Sequence, residues 1–106
     1  MVKDIKSNEE FKESIIKRKD LTLIIVDYYA DWCMPCKQIA PYLKTLSEEY
    51  TKIEFYKVNV DDLEEVTNSE KVTAMPTFKA YKNGKCIGTI LGADKSKLKN
   101  LVENNQ

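Results

Sequence analysis

The chain has 106 residues, a length at which folding buries roughly 65% of the surface the unfolded chain exposes, so a core can form without disulfide staples. Its 17 basic and 17 acidic residues cancel and alternate without blocks, which argues against nucleic acid or an anionic membrane surface as a main partner. With no apolar run of membrane-spanning length, no signal-peptide core in MVKDIKSNEE and only three cysteines, an odd number for a secreted scaffold, the expectation is one cytoplasmic domain over residues 1–106.

In chain order, a short start over Val2 to Ile5 leads to Ser7 and Glu10, whose spacing is that of a capping box. The helix it opens carries Phe11 and Ile15 on one face. LTLIIVDYY, residues 21 to 29, is a continuous apolar and β-branched run, as in a strand buried on both faces. From 36 to about 50 the residues Ile39, Leu43, Leu46 and Tyr50 recur at helical spacing. KIEFYKVNV, residues 52 to 60, predicts a second buried strand, and DDLEEVTNSE a short helix capped by Asp61 or Asp62. TFKAYKNGKCIGTIL is a hairpin turning at Asn83-Gly84. A last helix turns Leu98, Leu101 and Val102 inward. The order β-α-β-α-β-α-β-β-α predicts an α/β fold, with a largely parallel first part and a closing antiparallel hairpin.

Chemistry concentrates in DYYADWCMPCKQIAP, residues 27 to 41. Cys33 falls where the strand ends and a helix begins, and the unsatisfied N–H groups there favour a thiolate over a thiol. Pro35 suits the first helical turn, where its missing N–H is no loss. Cys36 lies deeper in the helix but within reach of Cys33. An exposed sulfur that attacks and a shielded one that resolves are what two-step disulfide exchange requires. A structural zinc site normally takes four Cys or His ligands, whereas this chain has no histidine and only Cys86 besides the pair. Two cysteines side by side at such a junction also argue against mere apolar filling. The pattern favours redox chemistry.

Asp27 interrupts the apolar strand six residues before Cys33. If buried, its pKa rises into the range where it can pass a proton; if at the strand end, it is simply solvated. Lys57 is the natural charge partner of a buried Asp27, or else a strand lysine whose amine reaches solvent.

Together these residues resemble the thioredoxin family. WCMPCK is similar to the family's Trp-Cys-Gly-Pro-Cys-Lys, and VDYYADWC, KQIAP, KVNVDD, MPTF, KNG and GAD follow in family order and spacing across essentially the whole chain. The MPTF form resembles eukaryotic cytosolic members. The resemblance implies the thioredoxin fold, a central mixed β-sheet flanked by α-helices and ending in an antiparallel hairpin and a C-terminal helix. It implies that Cys33 attacks, that Cys36 resolves, and that Asp27, linked to Lys57, assists Cys36. Pro76 would be a cis-proline beside the dithiol. Trp32, Met34 and Pro35, with Met75, Pro76, Gly92 and Ala93, would border the substrate groove. Pro41 matches a proline that kinks the active-site helix, and Gly84 and Gly92 match family glycines.

By the same resemblance the protein reduces protein disulfides and serves redox homeostasis and electron transport. It would act as a monomer without bound cofactor or metal, recharged from NADPH by a thioredoxin reductase. Clients such as peroxiredoxins or ribonucleotide reductase are implied. Met34 replaces the family glycine and could shift the reduction potential toward that of an oxidase or isomerase. A redox-silent binding module is the other alternative, and the Cys-Pro-Tyr-Cys form of glutaredoxins is missing. Tyr29 stands where the family often has tryptophan. Cys86 reads as an ordinary strand residue or as a regulatory thiol.

Overall fold

A computed structural model describes every residue from Met1 to Gln106. Its elements are β1 (Val2–Asp4), α1 (Asn8–Phe11, continued as π-helix over Lys12–Ile16), β2 (Ile24–Tyr29), α2 (Met34–Glu49) and β3 (Glu54–Asn59). They are followed by α3 (Glu64–Ser69), β4 (Thr77–Lys82), β5 (Lys85–Leu91) and α4 (Lys95–Asn105). Five strands form one sheet in the order β1-β3-β2-β4-β5. The first three are parallel, and β4 and β5 are antiparallel to their neighbours, the thioredoxin fold.

Local chemistry accounts for most of these boundaries. The Ser7 hydroxyl accepts the Glu10 N–H at 3.1 Å, while the Glu10 carboxylate reaches back one residue further than a capping box requires, to Lys6 N–H at 2.7 Å. At the hairpin tip Asn83 and Gly84 have φ of 53° and 78°, both left-handed, as a two-residue turn matching strand twist demands. A Cβ on Gly84 would collide with the Ile16 carbonyl oxygen. The third helix departs from expectation. Neither Asp61 nor Asp62 caps it: Leu63 occupies the N-cap without a side-chain bond. The Asn59 side-chain oxygen instead accepts the N–H groups of Asp61 and Asp62 at 2.9 and 3.4 Å. A short polar side chain at a strand end can make such local bonds and settle the turn itself.

The buried strand β2 divides the core. Ile24, Val26 and Tyr28 pack with Phe11, Ile15, Tyr56 and Tyr81 on one side. Leu23 and Ile25 pack with Ile39, Leu43, Phe55, Phe78, Leu98 and Val102 on the other. The chain therefore leaves β2 with one residue register committed to each helical layer, and Asp27 falls on the layer of α2.

Candidate active site

Topology brings the signalled residues to one end of the sheet. The carboxyl ends of β2, β3 and β5 and the amino end of β4 meet there, so Cys33, Asp61, Gly92 and Pro76 come together although they are far apart in sequence. Met75–Pro76 is cis. The Pro76 carbonyl accepts the Gly92 N–H at 2.8 Å, tying the loop before β4 to the one after β5. Gly92 has φ of 90°, and a Cβ there would meet nothing within 4 Å, so it leaves open surface beside the proline. Met75 is half-buried against the cluster that includes both cysteines, while Pro35 and Ala93 are exposed.

Cys33 and Cys36 are joined in a disulfide with their Cα atoms 5.3 Å apart. Cys33 is the N-cap of α2, and its Sγ accepts the Cys36 N–H at 3.1 Å. That donor is one of the groups the helix cannot satisfy internally, so the first turn presents a fixed dipole to whatever charge Sγ carries. The expected contrast between an exposed and a shielded cysteine is absent from this oxidised form: the residues are 3% and 4% exposed. Exposure belongs instead to the side chains beside them, Trp32 at 68% and Met34 at 61%. The indole N–H of Trp32 donates to Asp61 at 3.0 Å. Pro41 lies inside α2, where it removes the bond that Lys37 carbonyl would otherwise receive.

Asp27 is buried, and its Oδ1 has no hydrogen-bond partner. Burial pushes its carboxyl up to about 7, against the opposing pull of the Lys57 charge. Lys57 is in register with Asp27 on the neighbouring strand, yet its amine turns elsewhere. It lies 3.7 Å from Asp4 Oδ1 and 5.5 Å from the centre of the Tyr29 ring. A cleft of ≈ 200 Å³ has Asp27, Tyr29, Cys36, Lys37, Ala40 and Lys57 among its walls. A second groove of ≈ 780 Å³ also reaches Asp27, along Lys37, Pro41 and Lys44. Asp27 is thus cut off from hydrogen-bonding protein groups but not from solvent-filled space.

Sequence reading passed over Tyr29 as a seat for the Lys57 amine, Asp4 as its ion-pair partner, and Asp61 as the anchor of Trp32. The first two could have been found only with the strand order in hand, because Asp4 and Asp27 both align with Lys57, from opposite sides of β3. No cluster of three or more Cys, His, Asp and Glu side chains is placed to hold a metal ion.

A disulfide at a helix N-terminus, sharing its cleft with a carboxyl that can hold or lose a proton near neutrality, defines the class: a dithiol–disulfide oxidoreductase on the thioredoxin fold. Comparison with known proteins agrees. The Thioredoxin family model matches residues 2–104. Thioredoxin 1 of Plasmodium falciparum is 52% identical over 103 residues, covering 97% of this chain and 96% of the relative. Thioredoxin-1 of Saccharomyces cerevisiae is 41% identical over 105 residues and 99% of each chain. A solved structure of Plasmodium falciparum thioredoxin superposes with a TM-score of 0.91 at 48% identity, covering 98% of this chain and 99% of that one. The chain belongs to the thioredoxin family.

Proposed function

We propose that the protein is a recycled reductant of protein disulfides in which Cys33 attacks, Cys36 resolves and Asp27 takes the proton. The observation that carries this reading is the cleft shared by the unpartnered Asp27 carboxyl and Cys36. In the reduced protein the Cys33 thiolate, facing the Cys36 N–H, attacks one sulfur of a client disulfide. A mixed disulfide forms and the other client sulfur leaves as a thiolate. Cys36 then gives its proton to ionised Asp27, directly or through water in the cleft, and attacks Cys33 Sγ. The Cys33–Cys36 disulfide closes, the second client sulfur leaves, and two electrons have passed to the client. Lys57 tunes this step by opposing the effect of burial on Asp27.

Trp32, Met34 and Pro35 on one side and Met75, Pro76, Gly92 and Ala93 on the other form the surface on which the client lies. This assignment is supported by their shared end of the sheet and by the exposed Trp32 and Met34. Recharging falls to a thioredoxin reductase drawing on NADPH, and peroxiredoxins or ribonucleotide reductase are suitable clients for this electron transport. The protein works as a monomer in the cytoplasm, a reducing compartment in which exposed Cys86 stays a free thiol.

The test is the midpoint potential of the Cys33–Cys36 couple, read from Trp32 fluorescence in thiol–disulfide buffers. A two-electron transition near about −270 mV, the value typical of thioredoxins, is the expected result. A midpoint above about −200 mV would make the protein an oxidase or isomerase tuned by Met34, and no transition would make it a binding module.

A further inference from the structure

Lys57 is the middle member of a row of charged side chains that runs across the sheet. β1 and β2 flank β3, both parallel to it, and the register sets Asp4 on one side of Lys57 and Asp27 on the other. Residues paired in this way point to the same face, so one lysine stands between two carboxyls. Their surroundings differ: the Asp4 side chain is 38% exposed on the edge strand, whereas Asp27 is 4% exposed. The amine goes to Asp4. Its Nζ lies 3.7 Å from Asp4 Oδ1 and 5.5 Å from the centre of the Tyr29 ring, and Asp27 Oδ1 is left without a partner.

The way to Asp27 is nevertheless open, because Lys57 lines both grooves that reach it. An ammonium moving there would lose water. At Asp4 it keeps part of its hydration and gains a carboxylate and an aromatic face. Where it sits matters, because its charge opposes the effect of burial on Asp27. From α2, Cys36, Lys37, Lys44 and Glu48 line the same grooves; Met1 lines the larger, and Tyr29 and Asp31 the smaller. β4 sets Phe78 opposite Asp27. Among the charges around it, Lys57 alone acts appreciably on the carboxyl.

We propose that Asp4 is a positioning residue for closure of the disulfide: it holds the Lys57 amine on the β1 side of β3, limits its pull on the Asp27 proton, and so sets the pH above which Cys36 resolves a mixed disulfide. This rests on the reading of Asp27 as the base for Cys36 and names what adjusts it. The charge of Asp4 is too far away to act strongly by itself. Two strand spacings put its backbone about 10 Å from that of Asp27, about one screening length at 0.1 M salt. Its influence therefore passes through Lys57.

Asp4→Asn, Asp4→Glu, Lys57→Met and the double variant Asp4→Asn/Lys57→Met test it. Two readouts are taken from pH 5 to 9: the Asp27 carboxyl carbon resonance of the oxidised protein, and the rate at which Cys36 expels a small thiol from Cys33. In Asp4→Asn both midpoints should fall by about half a pH unit, making resolution about twofold faster at pH 6 and no faster at pH 8.5. Asp4→Glu should keep the wild-type midpoints. Against Lys57→Met, the further change Asp4→Asn should move them by less than about 0.2 pH unit, the coupling of a residue that acts through its neighbour. An unmoved carbon midpoint in Asp4→Asn, an equal shift in Asp4→Glu, or a shift that persists without Lys57 would overturn the inference and leave Asp27 as the base. A carbon midpoint that moves while the rate profile does not would remove that reading and the inference with it.

Discussion

Asp27 and Tyr28 are neighbours on β2, both buried, and the protein treats their polar groups in opposite ways. Tyr28 faces the layer of α1 and packs against Phe11, with ring centres 6.5 Å apart. Its hydroxyl lies 2.6 Å from that of Tyr81, which in turn donates to Glu70 at 2.5 Å. The chain of bonds carries polarity from the core out to a half-buried carboxylate, and burial pushes both phenols far above their ordinary range. One residue earlier, on the opposite face, the Asp27 Oδ1 has no partner. A satisfied buried network rigidifies a fold, whereas an unsatisfied group holds free energy that chemistry can use. The same strand thus carries a structural polar group on one side and a reactive one on the other.

The difference is measurable as stability. The Asp27 pKa lies at about 7 in the folded protein against an ordinary 3.8, so between these values the folded state binds the proton and the unfolded state does not. Stability from this group is therefore full below about pH 4, is lost as pH rises to about 7, and stays flat above. At about 1.4 kcal/mol per pH unit the loss is on the order of 4 kcal/mol.

Asp27→Asn sharpens the comparison most. The oxidised variant should be about 2–4 kcal/mol more stable than wild type at pH 8 in urea unfolding, with the gain disappearing near pH 4. A variant no more stable at pH 8 would mean that Asp27 carries no stored strain. The converse holds across the strand: Tyr81→Phe leaves the buried Tyr28 hydroxyl and Glu70 each short of a partner, and should destabilise by about 1–3 kcal/mol. The same unfolding series should show this loss unchanged between pH 5 and 8, and a pH-dependent loss would erase the contrast. Smallest is Lys57→Met, which removes the charge opposing burial at Asp27. The Asp27 midpoint, followed by the carboxyl carbon resonance, should move upward by less than burial itself has moved it, and a downward move would contradict the electrostatics.

Much of this was legible in the sequence because it depends on local pattern. The apolar run of β2, the helical spacing of Ile39, Leu43 and Leu46, the Asn83-Gly84 turn and the dithiol at a strand-to-helix junction all stand where short-range chemistry puts them. What escaped depends on long-range neighbours or on competition between equally good local bonds. Lys57 was legible as a partner for Asp27, but the placement of β3 between β1 and β2 also sets it beside Asp4, whose carboxylate lies nearer the solvent. Asp61 has the composition of a helix cap, yet Asn59 takes its N–H and Trp32 its carboxylate. Cys33 and Cys36 are equally shielded because both belong to the buried cluster that β2, β3, α1 and α3 build on one side of the sheet, which no spacing rule reveals.

The claim that Asp27 accepts the Cys36 proton is tested most directly by the resolving step alone. A mixed disulfide between Cys33 and a small thiol is formed in the protein, and release of that thiol by Cys36 is followed from pH 5 to 9 in wild type and Asp27→Asn. The wild-type rate should rise through a midpoint near 7, and the variant should lack that rise and be slower by about a hundredfold at pH 7.5. Identical rates and profiles in the two proteins would show that the proton leaves Cys36 by another route and that Asp27 has no part in the chemistry.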